Sequence, residues 1–324
     1  MKKIIAYILI CLLPLMALSA CTRKGVDEPG MREPGGRKLN IICTTFPQYD
    51  WVRQILGEQA ETVELILLLD NKIDLHSYQP AVADIVKISS CDLFIYVGGE
   101  SDAWVDDVLK DAVNEDMIVI SLLEALGDAA KIEEIVEGME DEEHEDEWDE
   151  HVWLSLKNAQ ILCTAIADVL AALDADHTDT YQSNLRAYTE KLSALDAEYQ
   201  EAVAAAPVKT LLFGDRFPFR YLVEDYGLTY FAAFAGCAAE AEAGFQTIIF
   251  LADKVDELGL HTICVTESAD QSIAKTIRDS TAAKNQNILV LDAMQSVTRG
   301  DIENGISYLA IMESNLSMLK AALS

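Results

Sequence analysis

From Leu39 onward, short apolar runs alternate with segments whose apolar residues recur every three to four positions. Leu39 to Thr45, Thr62 to Leu69, Leu93 to Val97 and Met117 to Ser121 read as β-strands. Tyr49 to Leu56, Gln79 to Ser89 and Trp104 to Ala112 read as helices between them. The order βαβαβαβ predicts a parallel sheet covered on both faces. Leu154 to Leu173 then adds a strongly apolar, largely buried helix. In Thr178 to Ala205, the residues Tyr181, Leu185, Tyr188, Leu192, Leu195, Tyr199 and Val203 alternate steps of four and three. That spacing predicts one continuous amphipathic helix with Thr178 as its N-cap. At 1.5 Å per residue it is about 40 Å long, wider than a small domain, so it is expected to lie across two lobes. After Pro207 the alternation restarts, with strands at Thr210 to Phe213, Thr229 to Phe234, Thr262 to Thr266 and Ile288 to Leu291. Helices are predicted at Arg216 to Tyr226, Phe245 to Leu258, Ser272 to Thr281 and Asp301 to Leu323. The expected fold class is therefore α/β: two doubly wound parallel-sheet lobes joined by one long helix. The boundaries are 39–177 for the first lobe, 178–206 for the linking helix and 207–324 for the second lobe.

The chain has 324 residues, 51% of them hydrophobic, which suffices for sizeable cores. With 55 acidic against 24 basic residues the formal charge is −31. Nucleic acid and anionic membrane are thereby disfavoured as partners, and a negative surface raises the local concentration of cations. At the N-terminus, Lys2 and Lys3 precede the apolar run Ile4 to Met16, and Leu18-Ser19-Ala20-Cys21 follows at once. This order predicts a signal peptide over 1–21 ending in a lipobox, with Cys21 acylated and residues 22–38 as a tether. The lipid would hold the protein on the outer face of a bacterial cytoplasmic membrane without spanning it. Cys43, Cys91, Cys163, Cys237 and Cys264 remain, an odd number without CxxC spacing. Their default reading is as small buried hydrophobes.

Ligands of open parallel sheets bind beyond the carboxyl ends of the strands. That rule selects His76, between a strand and the helix expected at Gln79-Pro80, and His151, directly before the helix of Leu154. It also selects Asp215, after the strand Leu211 to Phe213, and Asp292, after Ile288 to Leu291. Each alone is as well explained by capping; together they place two donors from each lobe at one face. Two neutral imidazoles and two carboxylates would neutralise a divalent cation. Glu267 sits at another strand end, and spacing alone does not separate it from Asp292. The acidic loop 133–150 ends at His151, and Glu143, His144 and Glu145 within it are auxiliary metal-collecting candidates. An acidic run is more often a solvated loop. His177 and His261 fall where surface residues are expected.

His76-Ser77-Tyr78-Gln79-Pro80, then Cys91-Asp92-Leu93-Phe94-Ile95-Tyr96-Val97-Gly98-Gly99, then His151-Val152-Trp153-Leu154 resembles the zinc- and manganese-specific solute-binding lipoproteins of bacterial ABC importers. The resemblance covers essentially the whole chain after the leader, the long middle helix included. It implies the helical-backbone metal-receptor fold and a metal held between the lobes by His76, His151, Asp215 and Asp292, which resolves the choice against Glu267. It also implies an ABC permease and its ATPase as partners. At the third position Asp215 stands where His or Glu is usual, which leaves room for a water and puts the metal's identity in question. Zn²⁺ is favoured by the Irving-Williams order, with Mn²⁺ or Fe²⁺ as alternatives.

The expected function is thus an extracytoplasmic receptor, a monomer, that captures Zn²⁺ and delivers it to an importer. No GxxxxGK[ST], HExxH or GxSxG occurs, so ATP hydrolysis and enzymatic roles have no positive support. A metal-dependent surface adhesin and a carrier of a larger metal chelate are the competing functions. The first has no adhesive module in the sequence, and the second would not need His76 and His151 to coordinate directly.

Overall fold

In chain order the elements of the first half are β1 (Asn40–Cys43), α1 (Phe46–Leu56), β2 (Glu64–Leu67), α2 (Val82–Ser89), β3 (Leu93–Tyr96), α3 (Val105–Lys110), β4 (Ile118–Ser121), α4 (Leu122–Leu126) and α5 (Leu156–Leu173). The long α6 (Thr178–Ala205) follows. Then come β5 (Thr210–Phe217), α7 (Arg220–Tyr226), β6 (Thr229–Ala235), α8 (Phe245–Leu258), β7 (Thr262–Thr266), α9 (Ser272–Ser280), β8 (Asn287–Leu291), α10 (Arg299–Glu303) and α11 (Tyr308–Ala322). This computed structural model describes residues 38–139, 147–238 and 243–324, which belong to one compact unit. Cys21, the tether, Glu143, His144 and Glu145 lie outside the described residues.

The strands form two four-stranded parallel sheets of the same order, β2-β1-β3-β4 and β6-β5-β7-β8. A strand covered on both faces must be apolar at every position. The inner strands obey this: Ile41, Ile42 and Cys43 of β1, and Leu93, Phe94 and Ile95 of β3, are wholly buried. The edge strands β2 and β8 instead begin with exposed Glu64 and Asn287.

All seven apolar positions that predicted α6 are buried along it. Early in the helix, Asn184 donates to the carbonyl of Ile55 in α1 (2.9 Å); late in it, the Tyr199 hydroxyl donates to the carbonyl of Met312 in α11 (2.6 Å). One rigid rod thus contacts elements from both halves of the chain. The predicted cap differs: Thr178 is the first helical residue and turns its hydroxyl back to the Ala175 carbonyl.

Two further differences bear on the site. β5 does not stop at Phe213 but continues through a bulge to Phe217, and the following helix opens only at Arg220. Gly214 is not a terminator there; a Cβ on it would lie 2.6 Å from the Ala274 Cα, so glycine lets α9 pack directly on the strand. The helix expected from Asp301 to Leu323 is two, α10 and α11, separated at Gly305, whose φ is +88°.

Candidate metal centre

His76 rides on a single 3-10 turn, Leu75–Ser77, after β2. Leu75 plugs the core at 1% exposure, and the Asp74 carboxylate caps the turn by accepting from the His76 N–H (3.0 Å). The ring is held by its Nδ1, which lies 2.9 Å from the Ser101 hydroxyl and 3.4 Å from the Glu150 carboxylate. Glu150 in turn accepts from the Ser101 N–H (2.8 Å). It can approach this closely because Gly99 has no side chain, since a Cβ there would stand 2.4 Å from a Glu150 oxygen.

His151 is wholly buried. One oxygen of Asp149 accepts from both its backbone N–H (2.9 Å) and its ring Nδ1 (3.0 Å). With Asp149 accepting from the His151 ring and the Glu150 carboxylate 3.4 Å from Nδ1 of His76, rings protonated at Nδ1 would turn both Nε2 lone pairs to one point. Those two Nε2 atoms stand 3.2 Å apart. Lone pairs in that position repel unless a cation sits between them. In a tetrahedral zinc site with bonds of about 2.0–2.1 Å, two nitrogens are about 3.3–3.4 Å apart.

The thiol of Cys237, in the turn after β6, joins this pair. The Sγ atom and the two imidazole nitrogens all lie within 4.8 Å of one another. The Cys237 N–H donates to Glu133 (2.8 Å), and Gly236 lets the turn press in, since a Cβ there would be 3.1 Å from the His151 ring. Cys43, Cys91, Cys163 and Cys264 are buried, and Cys237 is the partly exposed cysteine among the described residues.

The family model for the zinc-uptake complex component A, periplasmic, matches residues 41–322. The chain belongs to this family. It is 32% identical over 315 residues to the zinc-binding lipoprotein AdcA of Streptococcus pneumoniae, covering 94% of this chain and 60% of that protein. To the high-affinity zinc uptake system protein ZnuA of Bacillus subtilis it is 26% identical over 318 residues, covering 95% and 94%. The crystal structure of the Zn(II)-bound ZnuA-like domain of S. pneumoniae AdcA superposes with a TM-score of 0.70 at 29% identity, covering 89% of this chain and 99% of that domain. The zinc-uptake components are solute-binding proteins rather than enzymes.

Against this zinc-uptake background, the four expected ligands fall differently. His76 and His151 are brought together. Asp215, inside the extended β5 instead of opening a helix, gives its carboxylate to the backbone N–H and hydroxyl of Thr266. Asp292 accepts from the Met294 N–H (2.7 Å), and burial together with the charge of Glu267 pushes its carboxyl up to about 7. Glu267 itself anchors the loop after β8, accepting from the N–H groups of Ala293 and Gln295 and the Ser296 hydroxyl. None of these three is in the donor group within 4.8 Å.

Two features were missed. Asp149 and Glu150 are not part of a solvated loop end; they are 1% and 2% exposed and orient the imidazoles. Asp149, two positions before His151, faces that ring, and Glu150, directly before it, faces the ring of His76. Cys237 lies two residues beyond the end of β6, where the strand-end rule points, but its residue type suggested only packing. Burial acts to lower the His151 pKa, yet the Asp149 hydrogen bond and the charges of Asp149, Glu150 and Glu133 carry it above its ordinary value. Burial and those same three carboxylates push the Cys237 thiol well up. The thiol therefore keeps its proton until a metal displaces it.

Proposed function

We propose that this chain is the zinc-capture subunit of an ABC importer, binding Zn²⁺ through His76, His151 and Cys237 and passing it to a membrane permease driven by an ATPase. The observation that carries this is the pair of imidazole Nε2 atoms 3.2 Å apart with a thiol within 4.8 Å of both. Two imidazoles and a soft thiolate select zinc over manganese, which favours oxygen donors. A chelate carrier is disfavoured, since nothing larger than an ion fits between nitrogens at that separation.

The same proposal assigns residues 39–177 and 207–324 to lobes on either side of the site and 178–206 to the helix behind it. Cys21 is the membrane anchor, and the acidic stretch with Glu143, His144 and Glu145 gathers cations. A calorimetric titration of the metal-stripped protein tests the core of it. One tight zinc site, weak binding of Mn²⁺, and loss of the zinc site in His151→Ala and Cys237→Ser is the expected result. The absence of any tight zinc site would overturn it.

A further inference from the structure

Beside the first sheet lies a cavity of about 330 Å³, walled by Tyr49 of α1, the strand β2 from Leu65 to Leu67, and Ile302 of α10. β2 is the edge strand of its sheet, and among the described residues it pairs with β1 alone. Glu64 and Leu68 donate their N–H groups inward, to the carbonyls of Leu39 (2.8 Å) and Cys43 (3.0 Å). Alternate residues of a parallel strand bond to the same side, so Leu65 and Leu67 turn their N–H and C=O groups outward, toward the cavity they line.

Exposed sheet edges are usually blunted by a charge, a proline or a cover. The stretch Leu65-Ile66-Leu67 carries neither charge nor proline. The second half of the chain begins a cover and breaks it off. Thr298 forms an antiparallel bridge with Asn71, the Arg299 N–H donates to the Asp70 carbonyl (3.1 Å), and the chain then turns into α10. This edge thus already accepts an antiparallel strand for one residue, beyond the end of β2. The charge around the cavity is acidic: Glu64 opens the strand, Glu303 lines the cavity, and the base that lines it, Arg299, is paired with Asp70 (3.0 Å). The whole chain carries −31.

We propose that this groove docks a basic, extended segment of a partner protein, added to β2 as a further strand. The backbone of that segment meets the outward groups of Leu65 and Leu67, which supplies affinity. Its alternate apolar side chains enter between Tyr49 and Ile302, and its lysine or arginine side chains face Glu64 and Glu303. Because β2 belongs to the first half of the chain and α10 to the second, the occupant bridges the two. The inference is independent of the zinc site and stands or falls without it.

The test is fluorescence anisotropy of the full chain with a labelled peptide that alternates lysine and valine. The peptide should bind, and a fully N-methylated copy, which keeps the charge and loses the backbone donors, should bind at least about tenfold more weakly. Leu65→Pro removes one outward donor at a sheet edge, where proline is tolerated, and should also weaken binding. Glu303→Arg, a change at an exposed position, should weaken it about fivefold, the scale of an exposed charge pair. A glutamate–valine peptide should not bind the wild type. Absence of binding, or binding indifferent to N-methylation and to Glu303→Arg, would overturn the proposal, the latter as general attraction to an acidic surface. A sedimenting dimer that Leu65→Pro dissociates would give the edge to a second copy of the chain and overturn the partner assignment. Binding that appears only after residues 22–37 are removed would overturn it in favour of the chain's own tether.

Discussion

Arg216, on the strand β5 of the second sheet, forms an ion pair with Asp74, the residue that caps the turn carrying His76. Its other guanidinium nitrogen donates to the Ala238 carbonyl (3.0 Å), next to Cys237. One side chain therefore ties the turn of His76 to the turn of Cys237, from opposite halves of the chain.

Replacing it should loosen the site without removing a donor. Arg216→Met is expected to weaken zinc binding about tenfold, or about 1.4 kcal/mol. The metal-free protein should lose about 1–2 kcal/mol of stability, because Asp74 is left partly buried and unpaired. Chelator competition and urea unfolding would measure the two effects, and unchanged zinc affinity would show that the clamp does not position the donors.

Asp149 makes a second prediction. It fixes the Nδ1-protonated tautomer of His151, so Asp149→Asn should reduce zinc affinity by about 10–100-fold, as losses of groups that orient metal-bound histidines do. Because His151 is held above its ordinary pKa, protons compete for Nε2 from a higher pH than for a free imidazole. Zinc affinity should fall steadily from pH 7.5 to pH 5, and a flat profile would exclude His151 as a ligand.

Zinc should also stabilise the fold. Since His76, His151 and Cys237 are drawn together only in the native state, free Zn²⁺ at a thousand times its Kd should add about 4 kcal/mol. Thermal unfolding with zinc and with chelator should differ accordingly, and His151→Ala should unfold at the same temperature in both.

Asp102 predicts an inverse pH dependence for the metal-free protein. Burial, and to a lesser extent the charge of Glu150, push its carboxyl up to about 7, against 3.8 when free. It is 3% exposed, and one of its oxygens accepts from the N–H groups of Val97 (2.9 Å) and Gly98 (3.0 Å). Between pH 4 and 7 the folded state thus binds more protons than the unfolded one, and stability falls as pH rises through that window. The full effect is on the order of 4 kcal/mol. Asp292, raised to about 7 as well, contributes in the same window, so Asp102→Asn should reduce the slope without abolishing it; a variant that keeps the full wild-type slope would assign it to other groups.

Much of this protein was legible because periodicity records burial directly. α6 has the bounds its apolar spacing predicted, as do α8 and β7, since a helix laid across a core and a strand covered on both faces leave little choice of residue. The proximity of His76 and His151 follows from their place at the ends of elements. Asp215 was expected to open a helix because Gly214 looked like a stop, whereas the missing Cβ of Gly214 serves the contact with α9 and the strand runs on. Cys237 and Glu133 carried no periodic signal at all.

The sequence alone determined the two α/β halves and the connecting helix, and it singled out His76 and His151 as candidates, because each depends on spacing within a single segment. Only the tertiary structure decided which side chains stand beside those histidines. Cys237 and Glu133 are 104 positions apart and meet through one backbone hydrogen bond. That meeting depends on how the turn after β6 packs against the root of the acidic loop, and a contact between distant segments leaves no pattern in either one.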